Sequence, residues 1–454
     1  MDFQKLLKPY KNESLKNLES WIKINSIYDE TTVSEEHPFG QGVFNALDFI
    51  ATLAEKEGFD VDRCDNYCTE IGYGKGDKLI ALYAHADVVP VSGDWKYDPF
   101  SATIEDDRMY GRGTSDDKGP AMAAFYALKA LKDNNLIDGY RVTLVIGGNE
   151  ESGSRCLEHY FHTMHKPYPT YGFTPDGDFP LIYGEKGISN YVQRVKLNIP
   201  DIVSLKGGVV SNSVIDEAKC VLKHTPEFSK LCETFFNLTS TKYSLISGVE
   251  NDELIVYGKA SHGSMPENGK NAALYLIKFL GWVYHDELLN KIADSYLETS
   301  GHRMGLYYES EYLHGTTYNV GLVNYENGIL EMVVNFRYPE NCDPREVEKK
   351  LNNMGFGEIT FQGYGEHLLM DPHSPMIETL LKVYQDETGD KITPIETIGG
   401  GTYAKESKNT IAFGSHFPGK VDNIHSPNEK IDLEDFFTSQ GIYAHAIYEL
   451  GRLK

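Results

Sequence analysis

A strand, a helix and a second strand follow one another between residues 79 and 148, and that order constrains the fold more than any other feature of the chain. LIALYA (79–84) is a continuous apolar run, and RVTLVIGG (141–148) is a second. Runs of this kind suit strands buried on both faces. Between them AMAAFYALKALKD (121–133) repeats its apolar residues with a helical period, and Pro120 suits a first helical position, where a missing N–H costs nothing. Two strands joined through a helix pair in parallel with a right-handed crossover. The expected class is α/β, with a mixed, largely parallel sheet and helices on both faces.

After about Gly187 the pattern changes. YVQRVKLNI, LIVYGKA and LEMVVNFRYP alternate apolar with polar residues, as half-buried strands do, and amphipathic stretches such as AALYLIKFLGWVY lie between them. Near Ser374 the first style returns with MIETLLKVYQDET, the short strand TIAFG and a long closing helix, DLEDFFTSQGIYAHAIYELGRL. A chain of 454 residues exceeds what one hydrophobic core usually organises. The expected organisation is one α/β domain, 1–186 and 371–454, interrupted by an α+β domain at 187–370.

The formal net charge of −24 argues against nucleic acid or an anionic membrane as partner. No run approaches the roughly 18 apolar residues of a membrane span. The start, MDFQKLLKPYKNESLKNL, has no apolar core or small-residue cleavage site of a signal peptide. Six scattered cysteines fit reduced, buried thiols, so the expected compartment is the cytoplasm. Cys64 and Cys68 form a C-x3-C, but no second pair answers them.

Several short islands carry the chemistry, each at the end of an expected strand or in the loop after it, where open α/β sheets bind ligands. In YAHADVVP (83–90), His85 and Asp87 fall on the same side of an extended chain, so both can face one site. They also read as a buried histidine with a capping aspartate. In GRGTSDDKGP (111–120), Asp116 and Asp117 either bridge cations or cap a helix. In GGNEESGS (147–154), the adjacent Glu150 and Glu151 repel one another unless a cation or proton intervenes. Asp176 sits in a Pro/Gly-rich turn, with Asp178 as a local competitor, and His425 sits in a loop before the last helix. Two histidines and three carboxylates at strand ends make a nitrogen–oxygen ligand set that suits Zn²⁺ or Mn²⁺ and lacks the thiolates of structural zinc sites.

In sequence order, HAD, GRGTSDDKG, NEESGS, TPDGDFP, GKASHGSMPENGKNA (258–272), GGGTYA (399–404) and HSPNE (425–429) resemble the co-catalytic metallopeptidase family of aminoacylases, glutamate carboxypeptidases and carnosine-type dipeptidases. The TPD-x-x-FP, EKG and GGGTYA details are most similar to the bacterial PepV-type dipeptidases, and the resemblance spans nearly the whole chain. It implies a phosphorylase/hydrolase-like catalytic domain carrying an inserted lid. It implies two divalent cations, Zn²⁺ first and Mn²⁺ or Co²⁺ as alternatives. His85 and Asp176 would hold one, Glu151 and His425 the other, and Asp116 would bridge both across a cis peptide to Asp117. Asp87 would orient His85, and Glu150 would be the general base. His262 would stabilise the oxyanion from the lid. Asn212, Arg337, Gly400 and Thr402 would contact substrate, Arg337 by gripping its carboxylate, for which a guanidinium fork is suited.

The implied activity is hydrolysis of unblocked dipeptides with broad specificity, including carnosine-like Xaa-His. An N-acyl-amino-acid deacylase on the same scaffold is the alternative, and a catalytically silent metal or peptide binder a remote one. The insert, on the order of 180 residues, is longer than one small domain needs. That length leads to the expectation of a monomer whose lid closes over its own site. Two other motifs read as incidental. EHYFHTMHK spaces His159, His162 and His165 along the solvated face of a helix, and FGQGVF (39–44) is a lone Gly-x-x-Gly.

Overall fold

The computed structural model describes residues 1–454, which divide into two compact units. The first comprises 1–184, 370–397 and 401–454, and the second comprises 185–369 with 398–400.

At the heart of the first unit lies Leu79–His85, every residue of which is buried. It pairs in parallel with Arg141–Gly147 on one side and Tyr171–Thr174 on the other, and Tyr171–Thr174 pairs in parallel with Thr410–Ala412. Beyond this parallel centre the sheet turns antiparallel, through Cys68–Gly74 and Asp60–Asp62 at one margin and Ile182 at the other. The sheet is therefore mixed, with its parallel pairs confined to the middle. The helix Lys118–Asp133 is buried at every position from Lys118 to Leu131. Its alanines let it lie close against the sheet on one side and the closing helix Leu433–Arg452 on the other. At about 25 cal/mol per Å² of apolar surface, burial on this scale supplies most of what holds the layers together.

One glycine here answers to a close approach. A Cβ at Gly147 would lie 2.0 Å from the Tyr403 hydroxyl, so the end of this strand has no room for a side chain.

The second unit is an eight-stranded sheet, antiparallel throughout, in the order Lys242–Ser247, Asn251–Tyr257, Glu217–Lys223, Ile202–Gly207, Thr317–Glu326, Ile329–Tyr338, Gly187–Lys196 and Glu358–Phe361. Glu217–Lys223 shows the alternation expected of it: Ala218, Cys220 and Leu222 are buried, while Glu217, Lys219 and Lys223 are exposed. Ala272–Val283 and Glu287–Leu297 begin at Asn271 and Asp286, whose side chains accept from the N–H groups of Leu274 and Leu289. Ile398–Gly400 groups with this unit because Lys186 N–H donates to Ile398 O at 3.1 Å and Arg337 donates to Gly399 O.

All six cysteines are buried and unbridged. No helix is long and apolar enough to cross a membrane. The histidine-rich stretch departs from a regular helix: Arg155–Glu158 is followed by a wider turn over His159–Thr163. His162 and His165 are exposed, but His159 is half-buried, stacked on Tyr67 with its Nε2 3.0 Å from Asp65. FGQGVF starts the helix Gln41–Lys56.

Candidate metal centre

The carboxyl ends of the parallel strands bring six acidic and imidazole side chains of the first unit together. His85 ends its strand. Asp116 precedes the helix Lys118–Asp133, Glu150 and Glu151 follow Arg141–Gly147, and Asp176 follows Tyr171–Thr174. His425 comes from the loop before Lys430–Asp432 and has a left-handed φ of 57°.

Two groups of donors share Asp116. His85, Asp116 and Asp176 form one, and Asp116, Glu151 and His425 form the other, with the donor atoms of each group within 4.8 Å of one another. His85 Nε2 lies 2.9 Å from Asp116 Oδ1 and 3.8 Å from Asp176 Oδ2. His425 Nε2 lies 2.8 Å from Asp116 Oδ2 and 3.1 Å from Glu151 Oε1. Glu150 is in neither group. Of the two acids in TPDGDFP, Asp176 carries the clustered donor, whereas Asp178 is 59% exposed and faces His416. The Asp116–Asp117 peptide is cis.

The tautomer of His85 follows from its neighbours. Its Nδ1 lies 2.9 Å from the backbone carbonyl of Asp87, which can only accept, so Nδ1 carries the proton. Nε2 is left pointing into the cluster, buried and without a hydrogen-bond partner. An orphaned imidazole nitrogen facing carboxylate oxygens is a ligand position, and the set of imidazole and carboxylate donors fits divalent cations of borderline hardness. The carboxylate of Asp87 is 3.5 Å from Nδ1 and makes its hydrogen bonds elsewhere, to the N–H groups of Glu150 at 3.0 Å and Glu151 at 3.1 Å.

Electrostatics point the same way. Burial, then repulsion from Asp116, pushes the Glu151 carboxyl up to about 7 and that of Asp176 up to about 6. Burial above all drives Glu150 well above the usual carboxylate range, with Asp176, Glu151 and Asp116 adding to it. Burial opposes a charged His425, but Asp116 and Glu151 outweigh it and hold its pKa at about 11. Crowded carboxylates that draw protons onto themselves and onto adjacent imidazoles are relieved when a divalent cation takes the protons' place.

Further residues support the cluster through pairings that the sequence does not reveal. Asp117 is buried and its Oδ2 accepts the N–H of His85 at 3.0 Å. Tyr403 meets Cys156 Sγ at 2.9 Å and sets its ring edge-on to His85. Arg112 and Glu429 form a fully buried ion pair. Asp117, Tyr403, Arg112 and Glu429 all stand inside the motifs quoted above, but nothing in the spacing couples them to these partners.

Of the remaining expected residues, His262, Asn212, Arg337 and Gly400 belong to the second unit and Thr402 to the first. His262 is exposed in the second unit, with Nδ1 2.6 Å from Ser264 Oγ, and Asn212 accepts the N–H of Gly263 at 2.6 Å. Arg337 is buried in the same unit, with Nε donating to Asn335 at 2.8 Å; burial lowers its pKa to about 10. Gly400 belongs to the second unit and Thr402 to the first, where it caps the turn at Tyr403–Lys405 by accepting from Ala404 N–H.

The profile of peptidase family M20/M25/M40 matches residues 81–449. YtjP of Bacillus subtilis, provisionally named a dipeptidase, is 38% identical over 462 residues, covering 97% of this chain and 98% of its own. Among solved structures, the M20 family metallo-carboxypeptidase Sso-CP2 of Sulfolobus solfataricus superposes with a TM-score of 0.61 at 21% identity, over 97% of this chain and 100% of its own. Human carnosine dipeptidase 1 does so with a TM-score of 0.62 at 14% identity, over 99% and 98%. At these identities the structural likenesses speak for the fold.

Proposed function

This chain belongs to peptidase family M20/M25/M40, and on that premise we propose that it is a two-metal dipeptidase hydrolysing short unblocked peptides. The observation that carries the reading is the pair of donor groups sharing Asp116, with a further acid, Glu150, standing beside them but outside both. His85 and Asp176 would hold one cation, Glu151 and His425 the other, and Asp116 would bridge them. Cations held there polarise a peptide carbonyl and lower the pKa of a water molecule.

The residues divide the remaining work. Glu150 takes a proton from the attacking water and passes it to the departing amine. A buried carboxyl with a raised pKa is suited to holding a proton between those two steps. Asp87 fixes the turn that carries Glu150 and, through its carbonyl, the ring of His85. His262 stabilises the developing oxyanion, Arg337 grips the substrate carboxylate, and Asn212, Gly400 and Thr402 complete the substrate contacts. The proposed metals are Zn²⁺ first, then Mn²⁺ or Co²⁺. The chain is proposed to act as a cytoplasmic monomer.

The test is to strip the protein of metal, restore it with Zn²⁺, Mn²⁺ or Co²⁺, and assay Ala-Ala, Ala-His, Ala-Ala-Ala and N-acetyl-alanine in parallel. Dipeptide hydrolysis that returns with metal and exceeds the other two classes is expected. Preference for N-acetyl-alanine would make the enzyme a deacylase, and no hydrolysis at all would overturn the assignment. Light scattering at assay concentration checks the monomer.

A further inference from the structure

Glu429 is fully buried, and every contact of its carboxylate goes to the segment that ends in Asp116. Oε1 accepts three backbone N–H groups, those of Gly113 at 2.9 Å, Ser115 at 3.0 Å and Asp116 at 3.2 Å. Oε2 meets Nη1 of Arg112, itself 1% exposed. The backbones are stitched at the same place, since Gly111 N–H donates to Glu429 O at 3.0 Å and Ser115 Oγ donates to Lys430 O at 2.7 Å. A buried carboxylate persists only where hydrogen bonds and an opposite charge offset its desolvation. Here all of those offsets come from the turn that delivers Asp116.

Glu429 stands four positions after His425 in the same loop. One side chain therefore ties together the two segments that supply the shared carboxylate and the imidazole beside it, whose atoms lie 2.8 Å apart. We propose that Glu429 is a positioning residue for the cation pair: it sets the spacing of Asp116 and His425 before any cation binds. This rests on the two-cation reading above. Groups that orient metal ligands without touching the metal typically change metal affinity about 10–100-fold when altered.

The experiment compares wild type, Glu429→Gln and a control, Glu387→Gln. Glu387 is a half-buried carboxylate of the first unit, and its partners are His445 Nδ1 at 2.8 Å and Gln4 Nε2 at 3.1 Å, neither of which is a donor of the cluster. Each metal-stripped protein is titrated with Mn²⁺ by calorimetry, its melting temperature is recorded without metal, and kcat and KM are measured on Ala-Ala. Glu429→Gln should weaken cation binding about 10–100-fold and lower kcat while leaving KM within about threefold. Glu387→Gln should lose thermal stability with its cation affinity intact. Unchanged affinity in Glu429→Gln, or equal weakening in both variants, overturns the proposal. If Glu429→Gln does not fold, Arg112→Lys carries the test: it keeps the charge, withdraws the Nη1 donor from Oε2 by its shorter reach, and should shift affinity in the same direction, so unchanged affinity there is equally fatal. Wild type that binds no cation pair would instead bring down the two-cation reading itself.

Discussion

Asp87 holds Glu150 by its backbone: Oδ1 of the buried aspartate accepts the glutamate's N–H at 3.0 Å, and Oδ2 takes the next N–H, that of Glu151, at 3.1 Å. One carboxylate thus fixes the turn that carries both the proposed base and a proposed metal donor. Replacing Asp87 with alanine leaves two half-buried N–H groups without their acceptor, at up to about 1–3 kcal/mol each. Asp87→Ala should therefore lower both the melting temperature and kcat. Asp87→Asn keeps one acceptor oxygen and should fall between the two. Thermal melts and kcat on Ala-Ala check the order, and an alanine variant as active as the asparagine one would contradict it.

Glu150 and Glu151 are neighbours with different proposed duties. Only Glu151 lies in a donor group, 3.1 Å from His425 Nε2. Glu150→Ala should keep both metals and lose about 10²–10⁴ in kcat, the usual cost of removing a positioned base. Glu151→Ala should lose metal as well as activity. Metal analysis of the two purified variants decides the matter, and lost metal in Glu150→Ala would mean that the roles are exchanged.

The strand ends were legible because local rules write them. Continuous apolar runs marked Leu79–His85 and Arg141–Gly147, and the acids and histidines just past such runs converge wherever a sheet is parallel. What the sequence hid depends on long-range pairing. Arg112 and Glu429 are 317 residues apart, and each reads by itself as an ordinary surface charge. The same is true of Ile398–Gly400, which groups with the second unit through single hydrogen bonds to Lys186 and Arg337. His159, expected on a solvated helical face, instead packs on Tyr67 because the helix widens after Glu158. The direct partner of His85 Nδ1 was also out of reach, since a backbone carbonyl leaves no trace in the residue type.

Arg337 gives a test of substrate recognition. Its guanidinium is buried, held by Asn335 and Gly399, and with a pKa lowered to about 10 it remains charged at neutral pH. A hydrogen bond to a charged group contributes about 1.5–3 kcal/mol, so Arg337→Met should raise KM for Ala-Ala roughly ten- to hundredfold. The more telling comparison uses alanyl-alaninamide, which has no carboxylate to grip. Wild type should prefer the free acid strongly, and Arg337→Met should lose most of that preference. A variant that still discriminates acid from amide would place carboxylate recognition elsewhere.

His416 predicts how stability varies with pH. Burial disfavours its charged form, but the carboxylates of Asp178, 3.6 Å from Nδ1, and Asp422, 3.3 Å from Nε2, outweigh that and raise its pKa to about 9. An unfolded histidine titrates near 6.5. A group whose pKa is higher when folded stabilises the fold fully below its unfolded value and loses that contribution as pH rises through its folded value. The stabilisation from His416 should therefore be complete at pH 6, decline between about 6.5 and 9, and be gone above that. His416→Gln cannot take up the proton. Its melting temperature, measured with saturating metal, should lie below wild type at pH 6 and approach it by pH 10. A gap that stays constant across that range would mean that the imidazole acts only by packing, and that Asp178 and Asp422 do not hold a proton on it.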